Sequence, residues 1–367
     1  MNVFERLFLL LLTMFSVTMV SCKEDDDIIP DDDDTEDCLM GKWYRISDFD
    51  GVPRSDVASF TIGDYGYLVC GFDGTSRLSD FWEYDMDRDT WTQKANFPGA
   101  ARNSGVAMAV DGKGYFGTGY DGSNKLDDFW EYDPAANSWT QRADFPGGAR
   151  YDAVAFGVDG KGYVGCGYDG SFLKDFYVFD PDTDSWEQLY FDGCKRSGAS
   201  AFVIDDKAYI CCGLNNGVYA DDFWRFNPST GIWTQLRNIS DTSEESYDDE
   251  YAIARVSAAT FVIDGSAYLT CGESGSLCTD TWKYSPSTDL WENVAKFKGG
   301  IPSITKGVRI NRLVAPTAFI MLISSFLVNM VIFMVLETMA REMMRRSRIT
   351  PVPIMLMAER METSLST

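Results

Sequence analysis

The sequence contains no histidine, and its 32 basic residues are outnumbered by 56 acidic ones. Without histidine the chain has no imidazole general base, no Ser-His or Cys-His nucleophilic pair and no histidine-ligated metal site. The surplus of acid excludes nucleic acid as an expected partner, because a phosphate backbone selects basic surfaces. Helix-length apolar runs are also missing between the N-terminal segment and Pro316. The remaining composition, 45% hydrophobic and 14% aromatic, is that of a globular protein with a packed core.

The nine cysteines include no zinc-type Cys-x-x-Cys pair. Four of them stand directly before a glycine at one repeated position, which predicts small buried apolar residues. Those four are Cys70, Cys166, Cys212 and Cys271. Cys271 and Cys278 could also close a loop, which leaves a disulfide open. We expect no metal site and no cofactor.

The first 21 residues have the layout of a secretory signal peptide, with Arg6 before an apolar stretch. Met19 to Cys22 resembles a bacterial lipobox, in which the cysteine is lipidated and becomes the mature N-terminus. Residues 22–39 form an acidic tether that cannot bury anything. Lys23-Glu24-Asp25 resembles a surface-export signal, so we expect an outer-membrane lipoprotein at the cell surface; the alternatives are a periplasm-facing lipoprotein and a first transmembrane helix.

A unit of about fifty residues recurs five times, as in GKGYFGTGYDGSNKLDDFWEYDPAANSW (112–139) and GKGYVGCGYDGSFLKDFYVFDPDTDSW (160–186). Each unit predicts four short strands, for example SGVAMAV, KGYFGTG, DFWEY and WTQKA, joined by Asp-Gly and Asp-Pro turns. A single such sheet has two open faces, and radial stacking covers both. The repeat therefore predicts an all-β propeller over residues 40–320, with five complete four-stranded blades and an incomplete sixth.

The repeat resembles the kelch family in its period, its glycine-terminated second strand and its spaced aromatic residues. The kelch double glycine is replaced here by Cys-Gly or Thr-Gly. The second glycine is kept in all five units, so we expect the turn that needs it to survive. These glycines are Gly71, Gly119, Gly167, Gly213 and Gly272.

The segment WYRISDFDG (43–51) matches the end of a repeat but precedes the first complete unit. It therefore predicts a fourth strand without a blade of its own. In propellers such an N-terminal strand completes the last blade and closes the ring. The other strands of that blade should come from residues beyond about 300.

Two sets of positions should lie on one face of the ring, at the start of the first strand and the end of the second. Arginines begin the first strand of every unit, and they either contact a ligand or pair with Asp73, Asp121 or Asp169 of the nearby loops. The positions that vary are better candidates, because kelch domains often bind ligands there. The predicted ligand-binding residues are Arg54, Ser55, Phe72, Arg102, Asn103, Tyr120, Arg150, Tyr151, Tyr168, Arg196, Ser197 and Arg255.

Two functions are compatible with this face. The first is a lipid-anchored binding module for a glycan or a protein. The second is a kelch-type sugar mutarotase or epimerase, in which Arg255 would act with Glu244, Glu245 or Glu250. These glutamates belong to an insertion, SDTSEESYDDEY (240–251), which is either a ligand or cation loop or a plain solvated loop.

The C-terminal tail, 321–367, does not resemble the repeats, since the chain from Val308 onward has no Gly, Asp, Tyr or Trp. Pro316 to Leu336 is long enough to be a transmembrane helix. We favour a frameshift, because each Met-Val codon pair contains GGT, a glycine codon in a shifted frame. On this hypothesis residues 312–320 begin blade six, and resequencing the gene would test it: an intact frame contradicts it.

Overall fold

The computed structural model describes residues 42–45, 47–240, 251–296 and 332–335. These residues form strands, turns and loops, and they include no α-helix. Consequently no helix in this part of the chain could cross a membrane. The signal peptide, Cys22, the tether, residues 312–320 and most of the apolar tail lie outside the described residues.

Five four-stranded antiparallel sheets follow one another along the chain, each in the order a-b-c-d. Blade 1 comprises Ala58–Ile62, Tyr65–Val69, Phe81–Asp85 and Thr90–Gln93, and blade 2 comprises Val106–Val110, Lys113–Gly117, Phe129–Asp133 and Ser138–Arg142. Blade 3 comprises Val154–Val158, Lys161–Gly165, Phe176–Asp180 and Ser185–Leu189. Blade 4 comprises Ser200–Ile204, Lys207–Cys211, Trp224–Asn227 and Ile232–Gln235, with a small hairpin of Leu214–Asn215 and Val218–Tyr219 between its strands b and c. Blade 5 comprises Ala259–Ile263, Ser266–Thr270, Asp280–Ser285 and Leu290–Lys296.

Strands a of successive blades contact each other along the centre, so the blades are arranged radially. The prediction of an all-β propeller with five complete blades is therefore confirmed. Small residues line the central space, among them Gly105, Ala153, Ala199 and Ala258. The described residues that line this space include no titratable side chain.

Aromatic rings fill the contacts between blades. Trp139 of blade 2 lies with its ring centroid 4.9 Å from that of Phe81 and 5.3 Å from that of Phe97, both from blade 1. Its indole N–H donates to the Ala95 carbonyl at 3.0 Å, and Trp186 repeats this contact with Ala143 at 2.9 Å. The tryptophans that begin strand d therefore bind one blade to the previous one.

The segment before blade 1 packs as the end of a blade. The backbone N–H of Ser47 donates to the Asp89 carboxylate at 3.1 Å, as Ala95 N–H does to Asn137 in the next blade at 3.0 Å. Phe49 packs edge-on against Trp91 at 4.7 Å. The preceding strand, Lys42–Arg45, pairs antiparallel with Ile332–Val335 of the tail. This strand thus occupies the position of strand d before blade 1, and its partner comes from the C-terminal part of the chain.

The turn after strand b keeps its shape although one kelch glycine is replaced. The second glycine has a positive φ in every blade, and at Gly119 (φ 104°) a Cβ would lie 2.9 Å from the Asn103 carbonyl oxygen. The preceding residue is also left-handed, with φ between 57° and 62°, although it carries a side chain. The expected survival of this turn is confirmed. The replaced positions are Cys70, Thr118, Cys166, Cys212 and Cys271.

Candidate ligand-binding face

The arginine that precedes strand a is buried and ion-paired in every blade. In blade 2, Arg102 Nη2 lies 2.7 Å from Asp128 Oδ2, and its Nη1 donates to the Thr118 carbonyl at 3.0 Å. The same carboxylate accepts the indole N–H of Trp130 at 2.8 Å. Each of the five arginines is 0% exposed. The five pairs are Arg54–Asp80, Arg102–Asp128, Arg150–Asp175, Arg196–Asp222 and Arg255–Asp280.

These ion pairs contradict both predicted roles of the arginines, contact with a ligand and pairing with an aspartate of the loop after strand b. Their guanidinium groups lie beneath the face and are used by a carboxylate and backbone carbonyls, so they offer no donor to a ligand at the surface. The paired carboxylates are not Asp73, Asp121 or Asp169 but those at or just before the start of strand c. The arginines predicted as ligand contacts, Arg54, Arg102, Arg150, Arg196 and Arg255, are therefore structural in this fold.

The positive charge of each of these arginines lowers the pKa of the aspartate paired with it in blades 1, 2 and 4. Burial alone would raise the pKa of Asp128, but the hydrogen bonds and positive charge of Arg102 outweigh it and lower the pKa below the ordinary value. Arg54 lowers the pKa of Asp80 against burial in the same way, and Arg196 that of Asp222. These carboxylates are ionised at neutral pH.

Asp73, Asp121 and Asp169 have a different structural role. Each accepts one or two backbone N–H groups of its own turn after strand b, for example those of Ser123 and Asn124 on Asp121 Oδ1 at 2.7 and 2.6 Å. These hydrogen bonds lower the pKa of Asp121. The three carboxylates therefore fix the shape of the loops that carry the face.

The variable positions lie above the ion pairs and are brought together in twos. The residue after the arginine exchanges two backbone hydrogen bonds with the residue after the strand-b glycine. Asn103 and Tyr120 exchange theirs at 3.1 and 2.9 Å, and Tyr151 and Tyr168 at 3.2 and 2.9 Å. Ser55 pairs likewise with Phe72 in blade 1. The structure therefore places the predicted variable residues side by side on one face.

Aromatic side chains of blades 1–3 form a row on this face. Ring centroids lie 5.8 Å apart between Tyr120 and Tyr151, 5.5 Å between Tyr151 and Tyr168, and 5.1 Å between Tyr168 and Phe172. Phe72 joins the other end through Arg77, whose guanidinium carbon lies 5.1 Å from its ring and 4.8 Å from that of Tyr120. All five rings are half-buried. We call Phe72, Tyr120, Tyr151, Tyr168 and Phe172 the aromatic row.

Blades 4 and 5 do not continue the row. Ser197 is buried and faces Leu214, and Val256 faces Glu273. Ser55 is also buried, at 6% exposure, so neither predicted serine is a surface group. The candidate site is therefore the aromatic row with Asn103 and Arg77. Sequence reasoning missed Phe172 and Arg77, although both stand at one equivalent loop position that differs in every blade.

The cysteines of the described residues are free thiols. The described residues contain no group of three or more His, Cys, Asp or Glu that could hold a metal ion. Burial raises the pKa of Cys70 and of Cys166 to about 12, so both are protonated thiols and poor nucleophiles. Cys271 and Cys278, which could have closed a loop, are free thiols.

Comparison with known proteins points to one family. The family model described as the KLHDC2/KLHL20/DRC7 Kelch-repeats domain matches residues 45–213 and 149–313. Among solved structures the chain is similar to one titled "Structure of YjhT", with 19% sequence identity and a TM-score of 0.57. That match covers 70% of this chain and 87% of the other. The search of curated proteins gives no match.

Proposed function

Since this chain belongs to the kelch-repeat family, whose propellers are binding or interaction modules, we propose that it is a lipid-anchored module that binds a glycan through the aromatic row. The observation that carries this proposal is the row itself. Its rings are held half-exposed by backbone bridges, directly above a buried ion-pair scaffold. A binding surface of this kind is rigid before the ligand arrives, so little conformational entropy is lost on binding.

Tyrosine suits a glycan for two physical reasons. Its ring offers a flat apolar surface to the C–H face of a sugar, and its hydroxyl can hydrogen-bond to the sugar's own hydroxyls. Tyr120 donates its hydroxyl proton to the Gly122 carbonyl at 2.7 Å, which leaves the oxygen as an acceptor. Three neighbouring tyrosines could therefore contact successive rings of an oligosaccharide.

The anchor completes the proposal. Lipidation of Cys22 would hold the chain at the outer membrane, and export would place the propeller at the cell surface. A flexible segment of the tether's length would span about 20–25 Å or more. This reach would keep the binding face accessible to glycans outside the membrane.

The mutarotase alternative needs a carboxylate and an arginine that both reach the substrate, and Arg255 does not reach the surface. Arg255 donates to Asp280 at 2.8 Å and to the Ala252 carbonyl at 2.7 Å, with 0% of its surface exposed. Using it on a substrate would leave the carboxylate of Asp280 without its counter-ion. Glu244, Glu245 and Glu250 lie outside the described residues. Binding without catalysis is the function that the described geometry favours.

A glycan array probed with the full-length lipoprotein in detergent tests the proposal. We expect binding to a defined set of glycans, and we expect Tyr120→Ala combined with Tyr168→Ala to weaken it by about 1–3 kcal/mol in total. Tyr65→Ala is the matched control, because Tyr65 is an exposed tyrosine at the opposite end of strand b. If the same tyrosines bind a protein and no glycan binds, the face is a protein-binding site and the glycan part of the proposal is wrong. Equal binding by the double variant and the wild type would contradict the proposed face.

A further inference from the structure

Arg77 lies in the aromatic row but is held differently from the five structural arginines. Its guanidinium group lies between the rings of Phe72 and Tyr120, and its Nε donates to Asn103 Oδ1 at 2.8 Å. The side chain is half-buried rather than fully buried. Two flanking rings and one hydrogen bond therefore fix the orientation of a partly exposed cation.

The two terminal nitrogens of Arg77 remain available. Among the described residues no carboxylate lies within ion-pair distance of this guanidinium, in contrast to all five arginines beneath it. The charge of Arg77 contributes to lowering the pKa of Asp121, but Asp121 Oδ1 accepts two backbone N–H groups and its Oδ2 accepts from the Asn124 side chain at 3.3 Å. Arg77 is thus a pre-oriented donor pair without an anionic partner among these residues.

Neighbouring residues preserve this arrangement. A Cβ on Gly122 would come within 2.7 Å of Arg77 Nη1, so the glycine leaves room for the guanidinium against the loop backbone. Lys125 stands at the equivalent loop position of the next blade, and its backbone bridges Tyr120. It too has no carboxylate within ion-pair distance among the described residues. Two cationic residues therefore hold equivalent loop positions in blades 1 and 2, Arg77 against the Tyr120 ring and Lys125 bridged to the Tyr120 backbone.

We propose that Arg77 recognises a carboxylate carried by the glycan, so that the ligand is an acidic oligosaccharide of the uronic-acid type. Nη1 and Nη2 would donate to the two carboxylate oxygens, while the sugar bearing that group stacks beside Tyr120 and the next sugars continue along Tyr151 and Tyr168. This inference rests on the proposed function, because it names the class of glycan bound at the same face.

The charge of the whole chain limits how acidic this glycan can be. The chain carries a net charge of −24, so long-range repulsion acts against a polyanion. Multiply acidic peptides and heavily sulfated glycans are disfavoured for the same reason. The best fit is a mostly neutral oligosaccharide with a single carboxylate that reaches the end of the row occupied by Arg77.

Two probes that differ only in charge test the inference: xylotriose bearing one glucuronic acid, and the same oligosaccharide with that carboxyl reduced to an alcohol. Titration calorimetry on the full-length lipoprotein should show the acidic probe binding roughly 10- to 100-fold more tightly than the reduced one. Arg77→Gln should abolish this preference and leave the affinity for the reduced probe unchanged. Arg77→Lys should retain only part of it, because ammonium cannot form the two-point contact. Arg88→Gln, at an exposed arginine in a c–d turn, is the control that should change nothing.

A second readout needs no variant. Raising the salt concentration should lower the affinity for the acidic probe and leave the affinity for the reduced probe unchanged, because only the acidic probe is held by a charge interaction. If both probes bind equally and Tyr120→Ala weakens both, the proposed function stands and the role of Arg77 is refuted. Binding of neither probe, or of a peptide carboxyl terminus in place of both, overturns the acidic-glycan inference. If no glycan on the array binds either, the proposed function fails with it.

Discussion

Two sets of positions lie next to each other on the propeller and differ in every respect that matters for function. The arginines before strand a are identical in all five blades, are 0% exposed and share one pattern of partners. The residues directly after them are Ser, Asn, Tyr, Ser and Val, and in blades 2 and 3 they belong to a half-exposed surface. Adjacent residues therefore belong to the scaffold and to the candidate site, and repetition within the chain distinguishes them.

The largest effect should come from breaking one scaffold pair. Replacing Asp128 by Ala leaves the guanidinium of Arg102 buried without its counter-ion, which should lower the free energy of unfolding by about 3–5 kcal/mol. Arg88→Ala removes a surface pair with Asp85, in which the arginine side chain is 77% exposed, and should cost less than about 1 kcal/mol. Urea denaturation of both variants measures the difference. Equal losses of unfolding free energy in the two variants would mean that a buried ion pair stabilises this protein no more than an exposed one.

The scaffold should also give stability a defined pH dependence. Since Arg102 lowers the pKa of Asp128 in the folded state, its contribution is complete above the unfolded value of about 3.9 and is lost as pH falls through the lower folded value. Asp128→Asn cannot titrate at this position. The difference in unfolding free energy between wild type and Asp128→Asn should stay constant from pH 8 to about 5 and shrink below about 4. A difference that stays constant down to pH 2 would contradict the assignment.

Much of the scaffold could be predicted from the sequence. The predicted strands SGVAMAV and KGYFGTG contain the observed Val106–Val110 and Lys113–Gly117, because alternation and turn residues determine strands locally. The partners of the arginines were missed, although the aspartate before strand c recurs in all five units. Asp73 and its equivalents recur in only three. The ion pair joins residues 25 or 26 positions apart, a distance that only the folded blade brings within contact.

The site was only partly predictable. Variation between blades predicts Tyr151, and the position after the strand-b glycine predicts Tyr120 and Tyr168; the structure places the three rings next to one another. Arg77 was not found, because its importance depends on two rings from different blades and on Asn103 Oδ1. Sequence spacing does not show how the loops of separate blades meet. Variation at the Arg77 position was the available signal.

A smaller effect should separate two tryptophans of the scaffold. The indole N–H of Trp139 donates to the Ala95 carbonyl, whereas that of Trp91 is buried without a hydrogen-bond partner among the described residues. Both lose similar ring area on replacement by Phe. Trp139→Phe should therefore destabilise the protein by about 1 kcal/mol more than Trp91→Phe. Thermal and urea unfolding of the pair provide the comparison, and a larger cost at Trp91 would contradict it.

The smallest effect on fold and binding should come from the proposed lipid anchor. Cys22→Ala should abolish incorporation of radiolabelled palmitate, because the lipid would be attached to this thiol. Unfolding free energy and ligand affinity should be unchanged, since neither the scaffold nor the aromatic row involves Cys22. Palmitate incorporation that is unaffected by the substitution would refute the proposed lipidation.

The most direct test of the division between scaffold and site uses two consecutive residues, Arg150 and Tyr151. Unfolding free energy and glycan affinity are measured for Arg150→Met and Tyr151→Ala. We expect Arg150→Met to destabilise the propeller by about 3 kcal/mol or more, since Asp175 loses its buried partner. We expect Tyr151→Ala to remain stable and to bind glycan at least about tenfold more weakly. A Tyr151→Ala variant that unfolds, or an Arg150→Met variant that keeps its stability and loses only binding, would contradict the account.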